Sequence, residues 1–229
     1  NSVKEALTIA PTLGIPAQNF VVTDDSGNIG WTIAGAIPDR KANGFKQIDW
    51  QVPHYWHNQD ITWQGYLDES QYPKVINPES GRIWTGNSRV VGGEFYQIIG
   101  NGGYALGARS QQIETNLKSR ESFSEVDMLA IQNDHRALFL ERWHTFVLEK
   151  VVPNIKLDAS KKQEITNHLL QWQGTASTTS VGYSIVRTFR TNLRDKVFAE
   201  LVRDSNVRPN YIKSLRAIRH QLETPMWQI

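Results

Sequence analysis

The 229 residues are enough for one large domain or two small ones, and 25 basic against 23 acidic side chains leave a net charge of +2, which gives no reason to expect nucleic acid as a partner. Zero cysteine excludes disulfides, thiolate catalysis and Cys-based zinc sites, and no apolar run approaches the roughly 20 residues of a membrane helix, so no membrane partner is expected. Eight tryptophans and seven tyrosines are many for this length and suit a deep core or a ligand cleft.

The opening "NSVKEALTIA" lacks an initiator Met and the basic start and apolar run of a secretory signal, so an internal piece of a longer polypeptide is expected. Phe20–Thr23 and Ile29–Ala34 are β-rich runs, and Asp25-Ser26-Gly27-Asn28 supplies turn chemistry between them, which predicts a β-hairpin ended by Pro38. The Asp24-Asp25 turn is too short for a calcium loop and lacks the distal Glu. Residues 41–80 read as a long irregular loop held down by Trp50, Trp56 and Trp63. His54 and His57 lie in it, three apart and flanked by Pro53; a surface or packed pair is preferred to a shared metal. A strand is predicted at 82–85, then a glycine-rich passage. Gly100 to Gly103 lack the order of a phosphate cradle, and backbone flexibility or close approach is preferred. A helix is predicted from near Tyr104 to about Lys118, with Leu106, Ile113 and Leu117 on one face.

From Ser122 the texture becomes helical. Ser122 to Glu125 is a candidate capping box, and Val126, Leu129 and Ala130, then Leu138, Phe139, Trp143, Phe146 and Val147, recur at helical spacing up to Pro153. Ser160–Trp172 carries the stripe Ile165, Leu169, Trp172; a Ser/Thr-rich break spans Gly174–Gly182; Tyr183–Val202 and Asn210–Leu222 predict two more helices. Strands followed by helices in blocks predict an α+β fold, with a β-rich region over 1–120 and a helical region over 121–229. Glu125, Asp127, Asp134 and His135 read as a solvated polar face rather than an acid–base pair, and Arg187, Arg190 and Arg194 as a basic helix face rather than an anion site. Nothing here is a self-sufficient catalytic set. By residues alone the chain is an α+β protein with an aromatic-rich cleft, open to a binding module for a sugar or peptide.

Four passages in order carry the reading further. "DDSGNIGWTIAGAIPDR", "WQGYLDESQYPKVINPESGRIWTGNSRV", "GYALGARSQQIETNL" and "FSEVDMLAIQNDHRALFLERW" resemble successive segments of the penicillin acylase family of N-terminal-nucleophile amidases, over most of residues 18–145. The resemblance implies part of an αββα sandwich, with the β-hairpin and strands at about 15–120, plus a mainly helical region. It also implies a precursor that cuts itself to free a catalytic serine, which attacks the amide carbonyl with its own α-amino group as base. Asn87 falls on the family's oxyanion-donor asparagine and Arg109 on an arginine near the active site, expected to hold Asn87 or the nucleophile's surroundings. Gly86 is expected to leave room for close approach, and Ser88 stands where relatives commonly carry a second Asn.

The same resemblance places the nucleophile serine and the second, backbone oxyanion donor upstream of this chain. Ser2 is expected to open a helix leading to the hairpin, and Asn1 is no nucleophile. The chain is therefore expected to be an internal fragment without activity of its own, and its partners the remainder of the parent polypeptide and a small acyl-amide substrate. An N-acyl-homoserine lactone acylase of the same family is the alternative parent. No cofactor is expected; a structural calcium of the family cannot be assigned to residues of this segment. A periplasmic or secreted parent is implied.

Overall fold

A computed structural model describes residues 2–42, 61–100, 103–203 and 221–228. The chain divides into two compact units, Asn1–Ser110 and Gln111–Ile229.

In the first unit Ser2 caps α1 (Val3–Ile9): its Oγ accepts from the Glu5 N–H at 3.3 Å, and the Glu5 carboxylate accepts from the Ser2 N–H at 3.0 Å. α1 lies on the hairpin of β1 (Gln18–Thr23) and β2 (Ile29–Ala34), burying Val3 and Leu7. The helix comes so near that a Cβ on Gly30 would stand 2.5 Å from Val3 Cγ1, which is why the second strand carries glycine there. Asp24 organises the hairpin turn. Its Oδ1 accepts from the N–H groups of Ser26 and Asn28 at 3.1 and 3.0 Å, and its Oδ2 from the Val3 N–H at 3.1 Å. These donors, Val3 first, hold the Asp24 carboxyl below its ordinary range.

The sheet is completed by β5 (Val75–Ile76) on the other edge of β2, in the order β1-β2-β5, all antiparallel. Buried ties fix that edge: the Thr32 hydroxyl donates to the Pro73 carbonyl at 2.8 Å, and the Tyr72 hydroxyl accepts from the Ile37 N–H at 2.8 Å. Asn77, at φ 43, then turns the chain out of the sheet while its Oδ1 accepts from the Ile29 N–H at 2.9 Å.

Several sequence-based expectations for residues 38–108 are corrected here. Residues 41–80 are not simply irregular: β3 (Pro38–Ala42) and β4 (Ile61–Tyr66) pair as a separate antiparallel ladder. Pro38 thus opens a strand, and the charged Asp-Arg-Lys of β3 hid it from an apolar-periodicity reading. Trp63 lies in β4, 57% exposed and edge-on to Tyr66, so it does not pin a loop; Trp50, Trp56, His54 and His57 lie outside the described residues. Residues 82–85 form no strand, because the turn at Asn77 has already taken the chain away from the β2 edge. The glycine-rich passage contains α2 (Gly93–Ile99), and α3 (Ala108–Lys118) begins at Ala108 rather than near Tyr104.

The second unit is helical. α4 (Glu125–Gln132) is capped by Ser124 with Asp127, not by Ser122 with Glu125; Ser124 Oγ accepts from the Asp127 N–H at 3.3 Å. Its Val126 and Leu129 are 75% and 55% exposed, so the apolar spacing marks the helix correctly without marking a buried face. A continuous helical run follows: a 3₁₀ turn at Leu138–Leu140, α5 (Glu141–Phe146), a π turn at Val147–Val151 and a 3₁₀ turn at Val152–Asn154. Pro153 lies in that last turn, where it has no backbone N–H to give to the preceding turn, and the helical run ends with it at Asn154. α6 (Ala159–Leu170), capped by Asp158, and α7 (Val181–Arg203) close around a core of Trp143, Val147, Leu169 and Val186, joined by Met226 of α8 (Glu223–Met226). The helix expected over Asn210–Leu222 lies, but for its last two positions, outside the described residues. Among the described residues no helix is long and apolar enough to cross a membrane.

Candidate active site

Beyond Asn77 the chain is tethered to the first unit by side chains instead of a sheet ladder. The Gly86 carbonyl accepts from Asn19 Nδ2 at 3.0 Å, and Asn19 Oδ1 accepts from the indole N–H of the buried Trp31 at 3.0 Å. The next residue, Asn87, is exposed; its main-chain carbonyl accepts from the Ala105 N–H at 2.8 Å. Its side chain meets the first turn of α3, where Arg109 Nη2 donates to Asn87 Oδ1 at 2.5 Å. The hydroxyls of Ser88 and Ser110 lie 2.6 Å apart, and Ser88 is buried. Below the same segment is a cavity of about 190 Å³, with Trp31, Ile83, Trp84, Ser88 and Ser110 in its lining.

The structure therefore brings together the two residues singled out in the sequence. A guanidinium has only donors, so the carboxamide atom facing it is the oxygen, and the NH₂ group points the other way. Among the described residues that NH₂ donates to no protein group. A cation on the oxygen draws electron density from the amide and makes the NH₂ a stronger donor. Such a group can bind an oxygen on which negative charge develops. The room at Gly86, expected for close approach of a reacting group, is taken by Ser110 instead: a Cβ at position 86 would stand 2.6 Å from the Ser110 Oγ. Near the same segment, burial pushes the Tyr104 phenol up from its ordinary value, so it stays neutral at physiological pH.

The remaining sequence candidates are used structurally. Ser2 caps a helix, and the Asp24 turn is saturated by backbone donors and Asn28. Gly100 ends α2, and residues 101–102 lie outside the described set. Asp127 caps α4. Asp134 accepts from Arg136 Nε at 2.9 Å and from Asn116 Nδ2 at 2.7 Å, and Arg136 above all holds its carboxyl far below the ordinary range. His135 is exposed, its Nδ1 3.2 Å from the Asn133 carbonyl oxygen. The arginines of α7 are not one basic face. Arg187 is exposed and Arg194 pairs with Asp195, while Arg190 donates through Nε and Nη2 to Glu223 Oε2 at 2.9 and 2.6 Å. Trp143 and Trp227 donate their indole N–H groups to Glu223 Oε1 at 2.5 and 3.2 Å. Among the described residues no three His, Asp or Glu side chains gather as a metal site. Asn19, Ser110 and Glu223 were missed in the sequence; only the uncommon Ser88 beside Asn87 gave a signal.

A family model described as penicillin amidase matches residues 1–229. The penicillin acylase 2 proenzyme of a Pseudomonas species is 26% identical over 192 residues, covering 81% of this chain and 23% of its own length. The acyl-homoserine lactone acylase QuiP of Pseudomonas fluorescens is 23% identical over 208 residues, covering 87% of this chain and 25% of its own length. The chain thus spans about a quarter of these curated relatives. A penicillin G acylase from Alcaligenes faecalis, known from its structure, matches with a TM-score of 0.60 at 20% identity, over 92% of this chain and 37% of that one. The α+β class holds: the fold is that of a portion of this penicillin G acylase, with a sheet-bearing unit and a mainly helical one.

Proposed function

The chain belongs to the penicillin amidase family, and from that premise we propose that it supplies the oxyanion-binding side chain of an N-terminal-serine amidase that splits a linear amide into an acid and an amine. The observation that carries this reading is the contact between Arg109 and Asn87, which leaves the carboxamide NH₂ directed away from the guanidinium. The serine sits on another segment of the parent polypeptide, at a new N-terminus made by self-cleavage, and its hydroxyl attacks the amide carbonyl carbon. The hydroxyl proton passes to the serine's α-amino group, and the carbonyl π pair moves onto oxygen. Asn87 Nδ2 donates to that oxygen, together with a backbone N–H from the same other segment. Collapse of the tetrahedral intermediate expels the amine, which takes the proton, and water then releases the acid from the serine ester. Arg109 does not touch the substrate; it orients Asn87 and lends positive charge to the site.

Both named classes of relative fit this chemistry, since a penicillin and an N-acyl-homoserine lactone each present a linear amide. The penicillin-type amide is the first reading and the lactone the second, favoured by the 87% of this chain that QuiP covers. The parent works in the periplasm or outside the cell.

The test is Asn87→Ala in the full-length, self-processed parent. Hydrolysis of a chromogenic acyl-amide should fall by about 100-fold or more in kcat with an unchanged melting temperature. A loss below about threefold overturns the oxyanion role of Asn87, and a full-length parent that neither cleaves itself nor turns over the amide favours a non-catalytic ligand-binding module instead. The 229-residue chain alone serves as the blank, with no turnover expected.

A further inference from the structure

We propose that Asn19, Ser88 and Ser110 are positioning residues that aim the Asn87 carboxamide, and that Gly86 must be glycine for them to do so; this rests on the reading of Asn87 as the oxyanion donor. An exposed side chain with one hydrogen bond is not aimed by packing around it. Beyond the Arg109 contact, its direction has to come from its backbone, and here the residues on both sides of it are gripped.

On the N-terminal side, Asn19 reaches across 67 positions of sequence to hold the Gly86 carbonyl. Its own orientation is dictated by Trp31: an indole N–H only donates, so Asn19 must turn Oδ1 to the indole and Nδ2 to the carbonyl. Trp31 is 1% exposed in the middle strand of the sheet, so this grip is referred to the most rigid part of the unit. On the C-terminal side, the buried Ser88 hydroxyl is bound to Ser110. Arg109 and Ser110 are consecutive in the first turn of α3, and they engage the consecutive residues Asn87 and Ser88. A slip of one residue in either strand of this pairing would break both contacts.

Gly86 completes the device. A Cβ there would stand 2.6 Å from the Ser110 oxygen, so that oxygen would have to shift, and it is the one that is bound to Ser88 at 2.6 Å. None of these residues meets the reacting atoms. They act through Asn87, where a displacement on the order of 1 Å costs up to about 100-fold in rate.

The proposal is tested by a double-mutant cycle in the full-length parent. Asn19→Asp keeps the acceptor for the Trp31 indole and removes the donor to the Gly86 carbonyl, while Ser110→Ala removes the hydroxyl partner of Ser88. Each should lower kcat about tenfold and leave KM within about twofold. In the Asn87→Ala background each should change kcat by less than about twofold, because the group they aim is gone. Gly86→Ala should behave like Ser110→Ala in both backgrounds. Losses that persist undiminished without the Asn87 amide mean a purely structural role and overturn the proposal, as do single variants with kcat within about twofold of the parent. Asn87→Ala alone reports on the underlying reading: a full loss there, with no effect from Asn19 or Ser110, sinks only the positioning device.

Discussion

Arg109 in the first unit and Arg190 in the second each hold one planar side chain, and the two pairs differ in what is left over. Glu223 accepts four hydrogen bonds, two from Arg190 and one each from Trp143 and Trp227, so both carboxylate oxygens are filled. The pair is largely buried, with 13% and 14% of its side chains exposed. Asn87 is exposed, takes one bond on its oxygen and keeps two N–H donors for something else. The contact with arginine is common to both and so cannot by itself mark a site. Saturation can: a group with all its valences met by the protein holds the fold, and one with a directed donor in reserve can meet a ligand. The chemistry agrees, since a carboxylate only accepts and could never bind an oxyanion, whereas a carboxamide held by its oxygen turns its donors outward.

That contrast can be broken most severely at Glu223. Glu223→Ala strands a buried guanidinium and two indole donors, and should cost about 3–5 kcal/mol in urea unfolding of the second unit while leaving kcat per folded molecule intact. A cost below about 1 kcal/mol would show that the cluster anchors nothing. The converse experiment is Arg109→Ala, which frees Asn87 to rotate: kcat should drop about tenfold with a melting temperature within about 1 °C of the parent's. Lost stability with full activity would move Arg109 into the company of Arg190. The smallest effect belongs to a third arginine-held group, Asp134, which Arg136 keeps charged well below its ordinary range. Its unfolded pKa is about 3.9, so its stabilisation is complete above about pH 5 and is lost as pH falls through the lower folded value. In that window the parent's stability rises with pH. Asp134→Asn should therefore melt a few degrees lower at neutral pH, by a margin that shrinks on acidification; a margin constant down to about pH 2 rejects the linkage.

The hairpin and most helices were legible because their signals are local. Gly27 and Asn28 sit within the turn they make, and the Ile165 and Leu169 spacing runs along the helix it marks, although the cap of α4, read at Ser122, is Ser124. The site was legible only in part. Asn87 and Arg109 were reached through resemblance, since 21 intervening residues give no periodicity that would bring them together. Asn19 with Gly86 and Trp143 with Glu223 lie 67 and 80 positions apart, and polar pairs at such separations leave no pattern in hydropathy. The false strand at 82–85 has the same origin: alternating character was present, but the edge that would have received it ends at Ile76.

The indexing of residues 87 and 88 on residues 109 and 110 also separates geometry from loop length. Because the grip is made at the two ends, the intervening excursion from Arg89 to Tyr104, which carries α2, bears no responsibility for the aim of the carboxamide. Lengthening it costs little closure entropy, about 0.6 kcal/mol for each doubling. The spacing between the two halves of the clasp is thus free to change while the four gripping residues stay fixed.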